Sequence, residues 1–385
     1  MTQSRARQTV AVANGIASDV AFGAVTPPLV LSTTFAFEGF ERPRAFDYTR
    51  LGNPSRNLLA DTIAKLEGGA GAVVVASGMA AVDLVLSTLG RDDLLIAPHD
   101  CYGGTYRLIA ARRDKGHFRA AFVDQGDESA LEEAFAQKPA LVLVETPSNP
   151  LMRIVDVAAL CTRAKAAGAQ VAADNTFLSP ALQQPIALGA DFVIHSTTKY
   201  LNGHSDVVGG AVVTAARSDL DALASWANTA GLTGAPFDAY LTLRGIRTLF
   251  PRIEAQQRSA QRIAEYLHDH SKVGTVYYPG LPTHPGHAVA AVQQAGFGAM
   301  LSFTLKGGPE AARGFANAVR LFTLAESLGG IESLVAHPAT MTHAAMGAEA
   351  RKRAGIGDDL FRLSVGLEAS DDLLADLDQA LAAAG

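Results

Sequence analysis

Lys199 is the residue whose setting in this sequence points most directly to chemistry. It follows a predicted strand at 192–194 and lies in the run Ser196-Thr197-Thr198-Lys199-Tyr200. A lysine at the end of a buried strand, held among apolar groups, can lose its proton and become a nucleophilic amine. Such an amine forms an imine with an aldehyde, and pyridoxal phosphate (PLP) is the aldehyde cofactor that enzymes attach to a lysine. The sequence therefore predicts a PLP-dependent enzyme with Lys199 as its imine lysine.

The pyridine ring of bound PLP needs a carboxylate beside its nitrogen and a flat partner against its face. Asp174 follows the predicted strand 171–173 and is the candidate for the carboxylate. Taken alone, an aspartate in this position is as typical of an Asx turn or a helix cap. Tyr102, after the predicted strand 94–97, is the candidate for the flat partner, and ordinary packing in a loop is its alternative.

The phosphate of PLP has candidate partners as well. Ser77, Gly78 and Met79 stand between a predicted strand and a predicted helix. The helix N-terminus would offer amides to an anion, and glycine lets the backbone approach it closely. Ser196 and Thr198 are two positions apart, so their hydroxyls point the same way in an extended chain. We expect these residues to surround one phosphate.

Short apolar runs alternate with helical patterns between about 55 and 215. This alternation is typical of a mostly parallel sheet that is covered on both faces. Ligands of such sheets bind beyond the carboxyl ends of the strands, which is where Lys199, Asp174 and Tyr102 fall. We predict strands at 73–75, 94–97, 118–123, 141–144, 171–173, 192–194 and 211–213, and helices at 57–66, 79–89 and 157–167.

Three parts are predicted along the chain. The irregular first part, 1–54, needs something to pack on, and we expect it to be an arm that contacts a neighbouring subunit. The second part, 55–245, is the PLP-binding α/β domain. The third part, 246–385, is a smaller α+β domain, with a helix at 248–268 and strands at 275–278, 301–304 and 361–365.

Composition excludes several classes of protein. Of the 385 residues 48% are hydrophobic and 18% charged, which permits a large core and argues against disorder. The net charge of −6 and the absence of a Lys/Arg-rich run argue against a nucleic-acid partner. No signal peptide and no membrane span are expected, and two cysteines make no disulfide framework. We therefore expect a cytoplasmic protein that acts on small molecules, with no metal site.

The sequence resembles the Cys/Met-metabolism family of PLP-dependent enzymes. The resemblance is carried by the segments 48–54, 77–79, 145–150, 173–177, 195–205 and 362–366. It implies the α/β architecture of PLP-dependent transferase fold type I, which is aspartate-aminotransferase-like. That fold has a mostly parallel seven-stranded sheet and a smaller α+β C-terminal domain. The resemblance also implies a homotetramer, a dimer of dimers with shared active sites.

Roles for individual residues follow from this resemblance. Lys199 would be the imine lysine, Asp174 the pyridinium partner, and Tyr102 the stacking ring and a proton-transfer group. Arg362 would bind the α-carboxylate of an amino-acid substrate, with a surface ion pair as its alternative. The phosphate would be bound by Ser77, Gly78, Met79, Ser196 and Thr198 and by Tyr48 and Arg50 of the neighbouring subunit, and the substrate also by Asn149 and Ser327.

Within the family, the segments 47–50, 101–107, 325–330 and 338–343 resemble the members that perform γ-replacement. Those members join O-succinyl-L-homoserine and L-cysteine to L-cystathionine and succinate in methionine biosynthesis. Arg107 is the candidate for the distal carboxylate of the ester, and Glu326 and Asp47 are candidates for the amino group of cysteine. Each of these charges is as typical of a solvated surface. Leu51 departs from the second arginine expected after Arg50.

Other functions stay open from the sequence. Inside the family they are the γ-lyases of cystathionine and methionine and the O-acyl-homoserine sulfhydrylases. From another class, the chain could bind PLP without catalysis, although the intact set of site residues argues against it. A nucleotide-binding protein that uses Ser77 and Gly78 is disfavoured, because no G-x-G-x-x-G motif begins that helix.

Overall fold

The structure is a computed structural model that describes residues 5–384. Helices alternate with strands over most of this range. The helices are α1 (Arg7–Ala13), α2 (Pro54–Glu67), α3 (Gly78–Leu86), α4 (Gly103–Asp114), α5 (Glu128–Phe135), α6 (Val157–Ala166), α7 (Ser179–Leu182), α8 (Arg217–Ala230), α9 (Pro236–Ile246), α10 (Leu249–Asp269), α11 (His287–Gln293), α12 (Gly308–Ala318), α13 (Ala348–Ala354) and α14 (Ser370–Ala382). The strands are β1 (Gly71–Val75), β2 (Leu94–Pro98), β3 (Arg119–Val123), β4 (Leu141–Glu145), β5 (Gln170–Asp174), β6 (Phe192–Ser196), β7 (Gly210–Thr214), β8 (Val273–Tyr277), β9 (Met300–Leu305), β10 (Thr323–Leu324), β11 (Leu334–Ala336) and β12 (Leu360–Ser364).

Seven strands form one sheet in the order β1-β7-β6-β5-β4-β2-β3. The ladders β5–β6, β2–β3 and β2–β4 are parallel, whereas β7 runs antiparallel to both β6 and β1. The connection 197–209 between β6 and β7 contains no helix. A parallel return needs a crossover, usually helical, so the chain comes back antiparallel instead. The predicted seven-stranded, mostly parallel sheet is confirmed.

The chain forms two compact units, each made of two segments that are separate in the sequence. The first extends up to Thr88 and continues over Ala172–Phe250, and the second is Leu89–Val171 together with the residues from Pro251 onward. The predicted domain boundaries after 54 and after 245 stay a prediction.

In the first unit, α2 and α3 begin at capping residues that the sequence supplies. Asn53 accepts the amides of Ser55 and Arg56 at the start of α2. Ser77 accepts the amide of Ala80 at the start of α3. These caps satisfy backbone donors that a helix leaves unpaired in its first turn. They fix where α3 begins relative to β1, which matters for the phosphate candidates.

The second unit contains a five-stranded sheet of its own, in the order β10-β11-β12-β9-β8. Strand β12 is buried along its whole length and pairs antiparallel with β9 and β11. Phe303, Phe315 and Phe361 pack against one another with ring centroids 4.9–5.9 Å apart. This core supports the strand that carries Arg362.

The predicted arm contains one helix that the sequence pattern does not reveal. Residues Arg7–Ala13 form α1, which packs on α2. A single buried alanine, Ala11, is its contact with the core, so the apolar periodicity is too weak to predict a helix. Within residues 5–384 no helix combines the length and the apolar character needed to cross a bilayer.

Candidate active site

The ends of β5 and β6 bring Asp174 and Ser196 to one face of the first unit. Asp174 pairs with Ile194 in the parallel ladder, so alternation places Asp174 and Ser196 on the same side. The amide of Ser196 donates to Oγ1 of Thr176 at 2.9 Å. The amide of Thr176 donates to Oδ1 of Asp174 at 3.0 Å. Thr176 therefore joins the two strand ends directly at the predicted cofactor residues.

The carboxylate of Asp174 stands in surroundings that disfavour its charge. Loss of solvent raises its pKa above the ordinary value of 3.8, and hydrogen bonds from Thr176 and the nearby His195 oppose the rise. The local donors thus leave the buried negative charge incompletely compensated. A protonated pyridine nitrogen would supply the missing positive partner, so this position fits the ring of PLP.

The N-terminus of α3 packs closely against Ser196. A Cβ atom on Gly78 would lie 2.7 Å from Cβ of Ser196, so a side chain at 78 would not fit. The amides of Gly78 and Met79 belong to the first turn of α3, where the helix has no internal acceptor for them. Ser77 closes the turn with its hydroxyl on Ala80. Free amides, a hydroxyl and a close backbone form a cradle that suits a phosphate.

Lys199 lies half-buried in the turn that follows β6. Its amide donates to the carbonyl of Ser196 at 3.3 Å, and its carbonyl accepts the amide of Gly203 at 2.7 Å. The hydroxyl of Thr198 accepts the amide of Gly209 at 3.0 Å and lies 3.3 Å from the carbonyl of Gly209. The turn is therefore anchored on both sides of the lysine.

Tyr48 and Arg50 lie next to one another near the start of α2. The guanidinium carbon of Arg50 is 5.6 Å from the ring centroid of Tyr48, and both side chains are exposed. Arg50 donates to the carbonyl of Asn228 at 2.9 Å. Arg56, which is buried, donates to the carbonyl of Arg50 at 3.2 Å and to that of Thr49. An exposed pair on a fixed backbone can serve a group outside its own chain.

In the second unit, the buried carboxylate of Glu145 holds two predicted site residues. The amide of Tyr102 donates to its Oε2 at 2.9 Å, and the amide of Asn149 donates to its Oε1 at 3.1 Å. Tyr102 stands at the N-terminus of α4 and is 41% exposed, so a ligand can reach it. Glu145 thus fixes the backbone at Tyr102 and Asn149 together.

Arg362 is buried, and its guanidinium is oriented from two sides. Its Nη1 donates to Oδ1 of Asn149 at 2.9 Å, and its Nη2 donates to the carbonyl of Ser327 at 2.8 Å. Nε2 of His343 bonds the carbonyl of Asn149 at 3.1 Å. A buried, oriented guanidinium is suited to binding a carboxylate in a fixed direction. The second unit therefore brings together Arg362, Asn149 and Ser327.

The charged candidates for substrate selection are less defined. Arg107 lies exposed on α4, and Glu326 is exposed beside Ser327, whose φ of +86° is unusual for a serine. The carboxylate of Asp47 accepts the amide of its own neighbour, Tyr48, at 2.6 Å. Their predicted substrate contacts stay a prediction.

Four residues that position the site were missed in the sequence: Thr176, Arg56, Glu145 and His343. A usable signal existed for Glu145, because a carboxylate that ends the wholly apolar run Leu141–Val144 must find donors when it is buried. His343 carried no such signal. Burial and the charge of Arg362 lower its pKa to about 4, so it is neutral beside the guanidinium.

Comparison with known proteins places these features in a family. The family model "Cys/Met metabolism PLP-dependent enzyme" matches residues 8–382. The chain is 55% identical to the cystathionine gamma-synthase of Escherichia coli (strain K12), over 99% of both chains. This likeness extends over both compact units.

Solved structures give the same result. Cystathionine gamma-synthase from Xanthomonas oryzae pv. oryzae, in complexes with aminoacrylate and cysteine and with cystathionine, has a TM-score of 0.98 and 57% identity, over 99% of this chain and 98% of that one. A cystathionine gamma-lyase from Lactobacillus plantarum in complex with L-serine has a TM-score of 0.95 and 41% identity, over 98% of this chain and 99% of that one. Synthases and lyases thus share this fold.

Proposed function

The chain belongs to the Cys/Met-metabolism family of PLP-dependent enzymes, and we propose that it joins O-succinyl-L-homoserine to L-cysteine. The products are L-cystathionine and succinate, in a step of methionine biosynthesis. The observation that carries the proposal is the near end-to-end likeness to the synthases of E. coli and X. oryzae. Identity to the lyase structure is lower, at 41% against 57%.

The residues of the first unit would hold the cofactor. We assign Lys199 to the aldehyde carbon and Asp174 to the pyridine nitrogen of PLP. When bound, PLP withdraws electrons from the amino acid, so that protons can leave Cα and Cβ and the γ-substituent can depart. The phosphate is assigned to Ser77, Gly78, Met79, Ser196 and Thr198, and from the neighbouring subunit to Tyr48 and Arg50.

The net reaction balances without an oxidant or a reductant. The Cγ–O bond of the ester breaks, and succinate leaves with the oxygen. The Cγ–S bond forms to the cysteine sulfur, and the thiol proton balances the charge of the departing carboxylate. We assign the transfer of the Cα proton to the Nζ amine of Lys199, since a partly buried amine is a competent base near neutral pH. Tyr102 is assigned to stack on the ring and to assist proton transfer.

We assign the orientation of the substrate to residues of the second unit. We propose that Arg362 binds the α-carboxylate, with Asn149 and Ser327 holding the guanidinium in place. A bidentate pair of hydrogen bonds from a guanidinium to a carboxylate fixes the direction of the Cα–H bond, which lowers the entropic barrier to proton removal. Arg107 is assigned to the distal succinyl carboxylate. Glu326 and Asp47 are assigned to the amino group of cysteine.

We also propose a homotetramer, a dimer of dimers in which each site receives residues from a neighbouring subunit. The exposed Tyr48–Arg50 pair supports this, because its backbone is fixed while its side chains face outward. Cys101 and Cys161 are both buried thiols, which fits a reducing cytoplasm.

A substrate assay tests the proposal. Purified protein is incubated with O-succinyl-L-homoserine, with and without L-cysteine, and both cystathionine and 2-oxobutyrate are measured. We expect cystathionine only when cysteine is present, and parallel reactions with the O-acetyl and O-phospho esters rank the acyl groups. Rapid breakdown of supplied cystathionine, with no synthesis from the esters, would instead identify a lyase. The Lys199→Ala variant is the negative control for both the synthesis and the breakdown of cystathionine.

A further inference from the structure

A buried carboxylate that the proposed mechanism does not use lies behind the cofactor residues of the first unit. Glu67 is the last residue of α2, and its side chain is fully buried. Its Oε1 lies 2.7 Å from Nε2 of His195 and accepts Nδ2 of Asn175 at 2.8 Å. We call this cluster of Glu67, His195 and Asn175 the Glu67 bracket.

The bracket joins the same two strand ends as the cofactor residues, from the opposite side. His195 stands between Ile194 and Ser196 in β6, so its side chain points away from the face that carries Ser196. Asn175 follows Asp174, and its amide donates to the carbonyl of Ile194 at 3.0 Å, which extends the β5–β6 ladder by one step. Alternation therefore places Asn175 opposite Asp174. Glu67 contacts both rear-facing side chains with a single oxygen.

The position of Glu67 is electrostatically unfavourable, so the two contacts of Oε1 are needed to stabilise the buried carboxylate. The C-terminus of a helix carries partial negative charge, and a carboxylate there is destabilised further by removal from water. Within residues 5–384, Oε2 of Glu67 and Nδ1 of His195 have no hydrogen-bond partner. The compensation therefore comes through Oε1. Loss of Oε1 would remove the acceptor of Nε2 of His195 and one of the two acceptors of Nδ2 of Asn175, which also donates to the carbonyl of Gln183.

We propose that Glu67 is a positioning residue for the cofactor site. By holding His195 and Asn175 it fixes the spacing of the ends of β5 and β6, so that Asp174 and the segment 196–199 meet one cofactor molecule together. The inference rests on the proposed PLP-dependent function. It adds a residue that touches neither cofactor nor substrate and acts through the backbone of two strands.

Cofactor affinity of the holoenzyme tests this inference. Glu67→Leu removes the acceptor, whereas Glu67→Gln keeps an amide oxygen that can accept both donors. After dialysis against a series of PLP concentrations, the visible band is expected to give a dissociation constant at least about tenfold above wild type for Glu67→Leu. The Glu67→Gln value is expected to stay within about threefold. Asn175→Ala removes one of the two Glu67 contacts, together with the bonds that Asn175 makes to Gln183, and leaves His195 on Glu67. Its dissociation constant should fall between the two, which keeps the test informative if the leucine variant does not fold.

The matched control is Ile63→Ala, on the same helix one turn earlier. Ile63 is fully buried, so its truncation destabilises the unit by a cavity while the side chain of Glu67 keeps both of its acceptor contacts. The control should lower stability against urea and leave the PLP dissociation constant unchanged. Equal loss of affinity in Ile63→Ala and Glu67→Leu would overturn the positioning role. So would unchanged affinity in Glu67→Leu and Asn175→Ala, or a glutamine variant as weak as the leucine one. Failure of the wild-type protein to bind PLP would instead overturn the proposed function.

Discussion

The Nη1 atom of Arg362 donates to Oδ1 of Asn149 at 2.9 Å, in a part of the second unit where both side chains are buried. This contact sets the plane of the guanidinium, and the carbonyl of Ser327 sets its rotation. We expect Asn149→Ala to lower kcat/KM for the homoserine ester roughly tenfold, mostly through KM, because one orienting hydrogen bond is lost. Steady-state kinetics check this, and an unchanged KM would contradict it.

Replacement of the guanidinium itself should have the larger effect. Arg362→Lys keeps the charge but loses the planar pair of donors, so kcat/KM should fall roughly 10- to 100-fold while bound PLP stays near wild type. Arg313→Lys is the matched control, since Arg313 is exposed and pairs with Glu310 at the surface. If Arg362→Lys were as active as Arg313→Lys, Arg362 would have no role in substrate binding.

Acid should destabilise the protein through His343. Burial and Arg362 lower its folded pKa from 6.5 to about 4. Between these values the unfolded state binds a proton that the folded state does not, so stability falls as the pH falls from about 6.5 to about 4. The accumulated loss is about 3 kcal/mol. Urea unfolding across this range should show a shallower pH slope for His343→Gln than for wild type, and parallel slopes would contradict the assignment.

Cofactor retention should depend on the ionisation of Asp174. Its folded pKa is raised by burial, so the carboxylate becomes protonated while the pH is still above 3.8. The raised pKa is that of the site without PLP, and the protonated acid does not pair with a pyridinium, so the affinity for PLP should begin to weaken as the pH falls through this pKa. Asp174→Asn should bind PLP weakly at every pH without that step. Asp127→Asn, which alters the exposed cap of α5, is the control and should keep the wild-type profile.

Arg56 is expected to support the pair at Tyr48 and Arg50. It is buried, and its acceptors among residues 5–384 are the backbone carbonyls of Thr49, Arg50 and Gly234. Arg56→Met keeps most of the volume and leaves these acceptors without their donor, so stability should fall by roughly 2 kcal/mol or more.

Cofactor should also be lost more readily from the Arg56→Met protein if the pair serves a neighbouring subunit. Lys65→Met, at an exposed position on the same helix, is the comparison and should alter neither property. Urea titration and PLP dialysis measure the two effects separately. Lowered stability with unchanged PLP retention would confine Arg56 to a structural role.

The fold could be predicted from the sequence where burial is continuous. The runs that became β2 and β4 are apolar throughout, and their wholly buried strands follow directly from that pattern. The direction of β7 was not predicted, although the connection before it has no helical pattern and a parallel return usually needs a helical crossover. The short helix α1 was not predicted, because its apolar stripe is weak.

The site was predictable in so far as residue type alone points to PLP. Lys199, Asp174 and the Gly78 turn each match one chemical need of the cofactor. Their supports did not follow from the sequence, because the partners lie far apart along the chain. Glu67 and His195 are separated by 128 positions, and His343 and Asn149 by 194. Only the folded structure brings these distant residues into contact, so such pairs cannot be identified from the sequence.

Reduction of the holoenzyme with borohydride tests the central claim most directly. It converts an imine between PLP and a lysine into a stable amine, which peptide mass spectrometry can locate. The account predicts loss of the visible band and a pyridoxyl phosphate adduct on Lys199, with no adduct in Lys199→Ala. An adduct on another lysine, or a wild-type protein with no visible band and no adduct, would contradict it.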